Sequence, residues 1–393
     1  MNSAHVFTHF RSLGGVQSLL KRHHTGDAGF GLDSTFTAFF DPVADKEERV
    51  AGLGLTWRQS IAEARRRWRA LNPCEESDIV AYHNCWGLPF VAGIDRAQRR
   101  VGVLHSDWPD LDFCLGQVRP LLDGMLCVSP TLVPRVRAAI PELEAERIAL
   151  LPLPAGRDAV EANQAPIAGR PLVLGFCGRV TVQQKRVDLF PELCKLLDSM
   201  GVDYRLEFLG EGDKLPWVRH VLGASPRVAI HGRLSGDRYW KVVRGWDAVV
   251  FLSEYEGLPL SLLEALSVGA IPVYPTIDSG ADHMVAKLGG GLLYPAGDLN
   301  AAARAIADLA RSPQTTIDHL RSECGTLVTP HLGDGYLRTF AGFCERIVRA
   351  PRISLATSLA RPSRLTDRVP FGLLRRLSER ALWRNDLPEP DKA

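Results

Sequence analysis

No stretch of this sequence stays apolar long enough to cross a bilayer. Runs such as Ala248–Ser253 end within a few residues, whereas a helical span needs about 20. The opening MNSAHVFTHF lacks the apolar core of a secretory leader. Neither sign of charge is in surplus: 47 Lys and Arg face 45 Asp and Glu, a net charge of +2, so electrostatics gives no reason to expect nucleic acid as a partner. None of the eight cysteines (Cys74, Cys85, Cys114, Cys127, Cys177, Cys194, Cys324, Cys344) forms a CxxC pair. Cys127 and Cys177 lie in strand-like runs and read as buried free thiols in a reducing compartment. GxGxxG after an opening strand and GxxxxGK[ST] are both missing, which argues against dinucleotide redox and P-loop chemistry. HExxH and clustered His/Cys ligands are missing too, so no protein-bound metal is expected. Ser106 is no nucleophile elbow, because G-x-S-x-G is absent. The expectation is a soluble, cytoplasmic protein, with 393 residues enough for two domains.

What is present is an alternation of short β-like runs with longer helical patterns, the mark of an α/β protein whose parallel sheets are covered by helices. Strands are expected at His5–His9, Thr35–Phe40, Ile79–Tyr82, Val101–His105, Met125–Ser129 and Ala149–Pro152. After EANQAPIAGRP (Glu161–Pro171), which reads as a linker, they resume at Leu172–Cys177, Tyr204–Leu209, Arg227–His231, Ala248–Leu252 and Ile271–Tyr274. Trp57–Leu71 has helical apolar spacing with Arg65, Arg66, Arg67 and Arg69 on its surface, and His23-His24 are expected to face solvent. Two doubly wound halves follow, at 1–165 and 166–330. Residues 331–350 read as a closing helix returning to the N-terminal domain, and 351–393 as a basic extension. Within that extension Arg361 to Arg384 hold seven arginines against Asp367 and Glu379, with Phe371, Leu374, Leu377, Ala381 and Leu382 at helix-compatible spacing. It reads either as a helix packed back on the body, as a solvated tail, or as a basic amphipathic contact with an anionic membrane surface.

Chemistry is concentrated in FLSEYEGLPLSLLEALSVGAIPVYP. A strand runs into Ser253, a turn holds Glu256-Gly257, and a helix is expected to start at Pro259. The amides of Leu260, Ser261 and Leu262 at its positive end would suit a phosphate. Glu256 lies before that helix and Glu264 one to two turns inside it, matching hydroxyls on either side of a nucleotide sugar's diphosphate. In GFCGRVTVQQK a strand ends at Gly178-Arg179 and Lys185 follows six residues on, so two cations can meet a diphosphate leaving group. Gly14-Gly15 would admit a phosphate near backbone amides, and His105 stands at a strand's carboxyl end, where it could donate a hydrogen bond to a sugar hydroxyl. Each of these alone has a plainer reading as a cap, a turn or a solvated loop.

Together they resemble the GT-B retaining glycosyltransferases of family 4, or group 1. Glu256 and Glu264 match the family's E-x7-E, Gly178, Arg179 and Lys185 its Gly-Arg…Lys, and Gly210 and Gly212 in FLGEGD its glycine turn. Gly14, Gly15 and His105 match its first-domain glycine loop and histidine. The resemblance implies two Rossmann-like, doubly wound domains facing an interdomain cleft. It implies a hexosyltransferase moving a sugar, with retention, from a nucleoside diphosphate sugar to a glycan, glycolipid or small-molecule acceptor in cell-surface glycan synthesis. The donor would be UDP- or GDP-linked, with no tightly bound cofactor and no metal, and the enzyme cytoplasmic or peripheral at the inner membrane face. Arg179 and Lys185 would stabilise the leaving group. Glu256 and His105 would contact the sugar and Glu264 the ribose, with Gly14, Gly15, Gly178, Gly257, Leu260, Ser261 and Leu262 around the phosphates. The chain departs from the family at Ala155-Gly156, where Asn-Gly is usual, and at His283, where Glu is usual. A sugar-nucleotide 2-epimerase-like isomerase and a non-catalytic sugar-nucleotide-binding protein are the alternatives.

Overall fold

The structure is a computed structural model, and it describes every residue except 13, 43–48, 96, 109–110, 161–162, 164, 290–291, 354–364 and 374–393. The chain divides into two compact units, Met1–Leu151 with Leu337–Ala393, and Pro152–Tyr336. In the first, the described strands β1 (Asn2–Phe7), β2 (Asp33–Ala38), β3 (Val50–Gly52), β4 (Ile79–His83), β5 (Arg99–Leu104), β6 (Gly124–Cys127) and β7 (Ile148–Leu150) form a parallel sheet ordered β3-β2-β1-β4-β5-β6-β7. β1 and β4 are buried on both faces. This is why AHVF and IVAYH read as unbroken runs rather than alternations. In the second unit β8 (Leu172–Cys177), β9 (Tyr204–Leu209), β10 (Val228–Gly232), β11 (Ala248–Val250), β12 (Ile271–Thr276) and β13 (Leu293–Pro295) form a parallel sheet ordered β10-β9-β8-β11-β12-β13. The doubly wound α/β expectation therefore holds in both. β3 and β13, three residues each, went unread.

The boundaries differ from the sequence reading. The change of unit falls at Leu151/Pro152, and the described part of the presumed linker is packed into the second unit. Arg170 donates to both carboxylate oxygens of the buried Asp247 (2.6 and 2.8 Å), Arg321 donates to one of them (2.8 Å), and the N–H of Asn163 reaches Val268 O (2.9 Å). Small and turn-forming residues marked a loop here, but one tied down by ion pairs. The helix Gly335–Arg349 packs on the first sheet. Phe340 stacks on His5 (centroids 5.2 Å apart), and Phe343 and Ile347 press so closely on Gly124 that a Cβ there would lie about 3 Å from both.

The arginine-rich helix is Ile61–Leu71, starting later than expected because Ser60 caps it by accepting from Glu63 N–H (3.4 Å). Three of its four arginines are occupied. Arg66 and Arg67 hold Glu63, Arg67 also donates to Leu53 O and Gly54 O, and Arg65 to Phe90 O. In the C-terminal extension, Phe371 is buried against Phe40 and Phe90, and its N–H donates to Gln59 O (2.8 Å). Leu374, Leu377, Ala381 and Leu382 lie outside the described residues. Among the described residues no helix is long and apolar enough to cross a membrane.

Candidate active site

Each sheet reverses its strand order once, between β1 and β4 and between β8 and β11. At such a switch the loops leaving neighbouring strands diverge and open a crevice at their carboxyl ends. In the second sheet these loops carry the residues singled out from the sequence. Beyond β8, Gly178 N–H donates to Leu209 O (3.2 Å), Val180 N–H to Glu211 O (2.9 Å), and Lys214 N–H to Val180 O (3.1 Å). Backbones this close leave no room for side chains. A Cβ on Gly210 would lie 1.9 Å from Gly178 O, and one on Gly212 2.5 Å from Val180 O. The glycines of FLGEGD are thus packing requirements of the Gly178–Val180 loop.

Lys185 is buried at the end of that loop. Its ammonium lies 5.8 Å from the Phe251 ring centroid, and a Cβ on Gly178 would stand 3.6 Å from it. It donates to Glu256 Oε1 at 2.5 Å, Ser253 Oγ donates to the same oxygen at 2.8 Å, and Gln184 Nε2 reaches Oε2 at 3.4 Å. The sequence reading gave Lys185 and Glu256 separate ligand groups, but the structure holds them together as a buried ion pair. Mutual attraction offsets the desolvation of both charges, which neither could sustain alone. Arg179 is exposed on the loop beside Gly178.

The following helix spans Leu260–Ser267, with Pro259 as its cap in extended backbone rather than as its first residue. Leu262 N–H donates to Pro259 O (3.0 Å), so the expected trio of phosphate-facing amides reduces to Leu260 and Ser261. Gly257 is buried, and its carbonyl accepts from Ala281 N–H (3.2 Å). Glu264 is half-buried and accepts from Tyr239 OH. Burial raises its carboxyl above the ordinary range, with the tyrosine bond partly opposing the shift. Gly156, at φ +75°, approaches this carboxylate so closely that a Cβ would lie 3.5 Å from Glu264 Oε1 and 3.3 Å from the Trp240 ring. Arg157 stacks on Trp240 at 4.8 Å. Tyr239, Trp240, Ser253 and Gln184 were missed as site residues. In sequence Gln184 stands beside Lys185 and Ser253 three residues before Glu256, whereas Tyr239 and Trp240 carry no signal in the sequence. His283 is exposed and pairs with Asp278 (3.3 Å), while Asp282 caps its short helix.

In the first unit Gly14 caps the helix Gly15–Gly26, and its carbonyl accepts from the Ser18 N–H and hydroxyl. His105 follows β5 and is half-buried; its N–H donates to Asn84 Oδ1 (2.8 Å). Burial, with a smaller contribution from His23, lowers its imidazole to about 3. His24 is exposed, but His23 is fully buried, contrary to expectation, because it faces Phe340 and hydrogen-bonds Asp27. His5, His23 and Asp27 offer ligand atoms within 4.8 Å of one another. Both imidazoles already bond to Asp27. All eight cysteines are free; seven are buried and Cys177 is half-buried. Burial pushes the Cys127 and Cys177 thiols up to about 12.

Residues 171–312 match the family described as Glycosyl transferases group 1. Curated relatives include WcaL of Salmonella typhimurium, whose name assigns it to colanic acid biosynthesis as a glycosyltransferase. It is 30% identical over 162 residues, which is 38% of this chain and 39% of that protein. The lipopolysaccharide 1,6-galactosyltransferase of Salmonella typhimurium is 31% identical over 144 residues, 34% of this chain and 38% of that protein. The chain thus spans well under half the length of the curated relatives it matches. The fold extends beyond residues 171–312: the pneumococcal O-GlcNAc transferase GtfA, solved with UDP and GlcNAc, superposes with a TM-score of 0.69 at 10% identity, covering 89% of this chain and 99% of that one. The architecture is GT-B.

Proposed function

We propose that the protein is a retaining glycosyltransferase that moves a sugar from a UDP- or GDP-linked donor to an acceptor hydroxyl in cell-surface glycan or glycolipid synthesis. The observation that carries this reading is the buried Lys185–Glu256 pair at the switch point of the second sheet, inside the residues that match the group 1 family. In the reaction the bond from the anomeric carbon to the diphosphate oxygen breaks, and its electron pair leaves on that oxygen. The acceptor oxygen bonds to the anomeric carbon on the same face and passes its proton to the departing phosphate. Charge grows on the leaving group, so cations fixed beforehand lower the barrier. We assign this to Arg179 and Lys185, with the Leu260 and Ser261 amides and the Gly14-Gly15 turn. Pinning by Glu256, Ser253 and Phe251 spares Lys185 the cost of reorganising. Glu256 would orient sugar hydroxyls, Glu264, backed by Tyr239, would hold the ribose, and His105 would contact the sugar. The names of the relatives support a glycan or lipopolysaccharide acceptor.

The expected result is a loss of donor turnover of roughly 10²–10³-fold in Arg179→Ala and in Lys185→Ala. Near-wild-type rates in both variants would sink the leaving-group assignment. The anomeric configuration of the product decides retention.

A further inference from the structure

His105 is the end of a buried chain of side chains that begins 78 residues earlier in sequence, at Asp27. The Asp27 carboxylate is 2% exposed and accepts from His23 Nδ1 (2.8 Å), His5 Nε2 (3.3 Å) and the Ser34 hydroxyl. His5 Nδ1 lies 3.0 Å from His83 Nε2, and His83 Nδ1 lies 2.7 Å from His105 Nε2. Stacking holds the rings: His5 between Phe36 and Phe340, and His83 against His105 with 14° between planes. Among the described residues, His105 Nδ1 is buried without a hydrogen-bond partner.

With one proton on each ring, such a chain has one direction. A carboxylate only accepts, so His5 must carry a proton on Nε2, and a singly protonated ring then offers Nδ1 as an acceptor. His83 must therefore donate from Nε2 and accept at Nδ1, and His105 must donate from Nε2. Its Nδ1 is left as a bare lone pair. Burial holds His23 neutral, lowered to about 4, and places His83 well below the ordinary imidazole range. For Asp27, burial pushes upward but the His23 and His5 bonds outweigh it, so the carboxylate stays ionised.

We propose that Asp27, acting through His5 and His83, is a positioning residue that locks His105 in the tautomer with a bare Nδ1, so that His105 recognises its ligand by accepting a hydrogen bond from a hydroxyl. This rests on the glycosyltransferase reading, in which that hydroxyl belongs to the transferred sugar. It reverses the donor role expected of His105 from the sequence. A hydroxyl fits the site, whereas a deoxy or fluoro analogue at that carbon leaves the lone pair unmet.

Long-range nitrogen–proton correlation NMR on the whole protein near neutral pH reads the tautomer directly, with His105 assigned by its loss in His105→Gln. The expected spectrum shows His105 neutral and protonated on Nε2. In Asp27→Asn the carboxamide can donate to His5, which reverses each bond in turn, and His105 moves to the Nδ1–H form. Donor kcat/KM is then expected to fall roughly 5- to 150-fold, because two donors face one another. An Nδ1–H or doubly protonated His105 in the wild-type protein, or a stoichiometric metal ion retained at His5 and His23, overturns the proposal even if Asp27→Asn does not fold. The tautomer is read without sugar present. An enzyme without donor turnover therefore refutes the glycosyltransferase reading, and a wrong tautomer refutes this one.

Discussion

Lys185 and Glu256 stand 71 residues apart in sequence and share one buried hydrogen bond. Removing one member of such a pair strands the other charge in a poorly solvated place. Glu256→Gln is therefore predicted to cost about 3–5 kcal/mol of stability as well as lowering donor turnover. A urea titration alongside rate measurement checks this, and an unchanged midpoint would mean that the Lys185 ammonium reaches water. At this scale the sequence was informative about residue types. A glutamate before a helix, another inside it, and a lysine following Gly-Arg were all visible as chemistry. Their partners were not. Nothing in Tyr239, which occupies an ordinary amphipathic helix, announces that it meets Glu264. Nor could His23, in a run of basic residues, be seen to turn inward to Asp27.

Elements were legible where they were long or buried throughout. β8 and the core of β4 declare themselves by unbroken apolar runs and β9 by alternation, whereas the three-residue edge strands β3 and β13 carry no such signal. The segment before β8 is the instructive failure. Proline, glycine and alanine marked it correctly as irregular chain, but Asp247 makes it part of the second unit by gathering Arg170, Arg321 and the Val173 N–H around one carboxylate. Such a cluster is invisible to any local window, because its members come from three separate stretches. Asp247→Ala is expected to lower stability by about 3–5 kcal/mol, since two guanidinium groups lose a buried counter-charge. Chemical denaturation followed by tryptophan fluorescence measures it, and a loss below about 1 kcal/mol would show that the cluster is redundant.

For the whole molecule, the histidine chain makes stability depend on acidity. His23 protonates near 6.5 when unfolded but only near about 4 in the fold, owing first to burial and then to His5; His105 drops to about 3. Between those values the unfolded chain binds more protons than the folded one, so stability is complete above about pH 6.5 and drains away as pH falls toward 4. His23 alone should contribute on the order of 3 kcal/mol across that interval. Melting temperatures recorded from neutral to acidic buffers should fall steeply there, and a flat profile would contradict buried, neutral imidazoles.

The division of the chain has a temporal side. The first unit is interrupted after Leu151 and resumes at Leu337, so the ribosome finishes the second unit before it delivers Leu337–Arg349, nearly all of the closing helix. That helix supplies Phe340, which lies against both His5 and His23. The seven-stranded sheet made earliest is therefore sealed last, and during synthesis the second unit can mature while the histidine chain still awaits its lid.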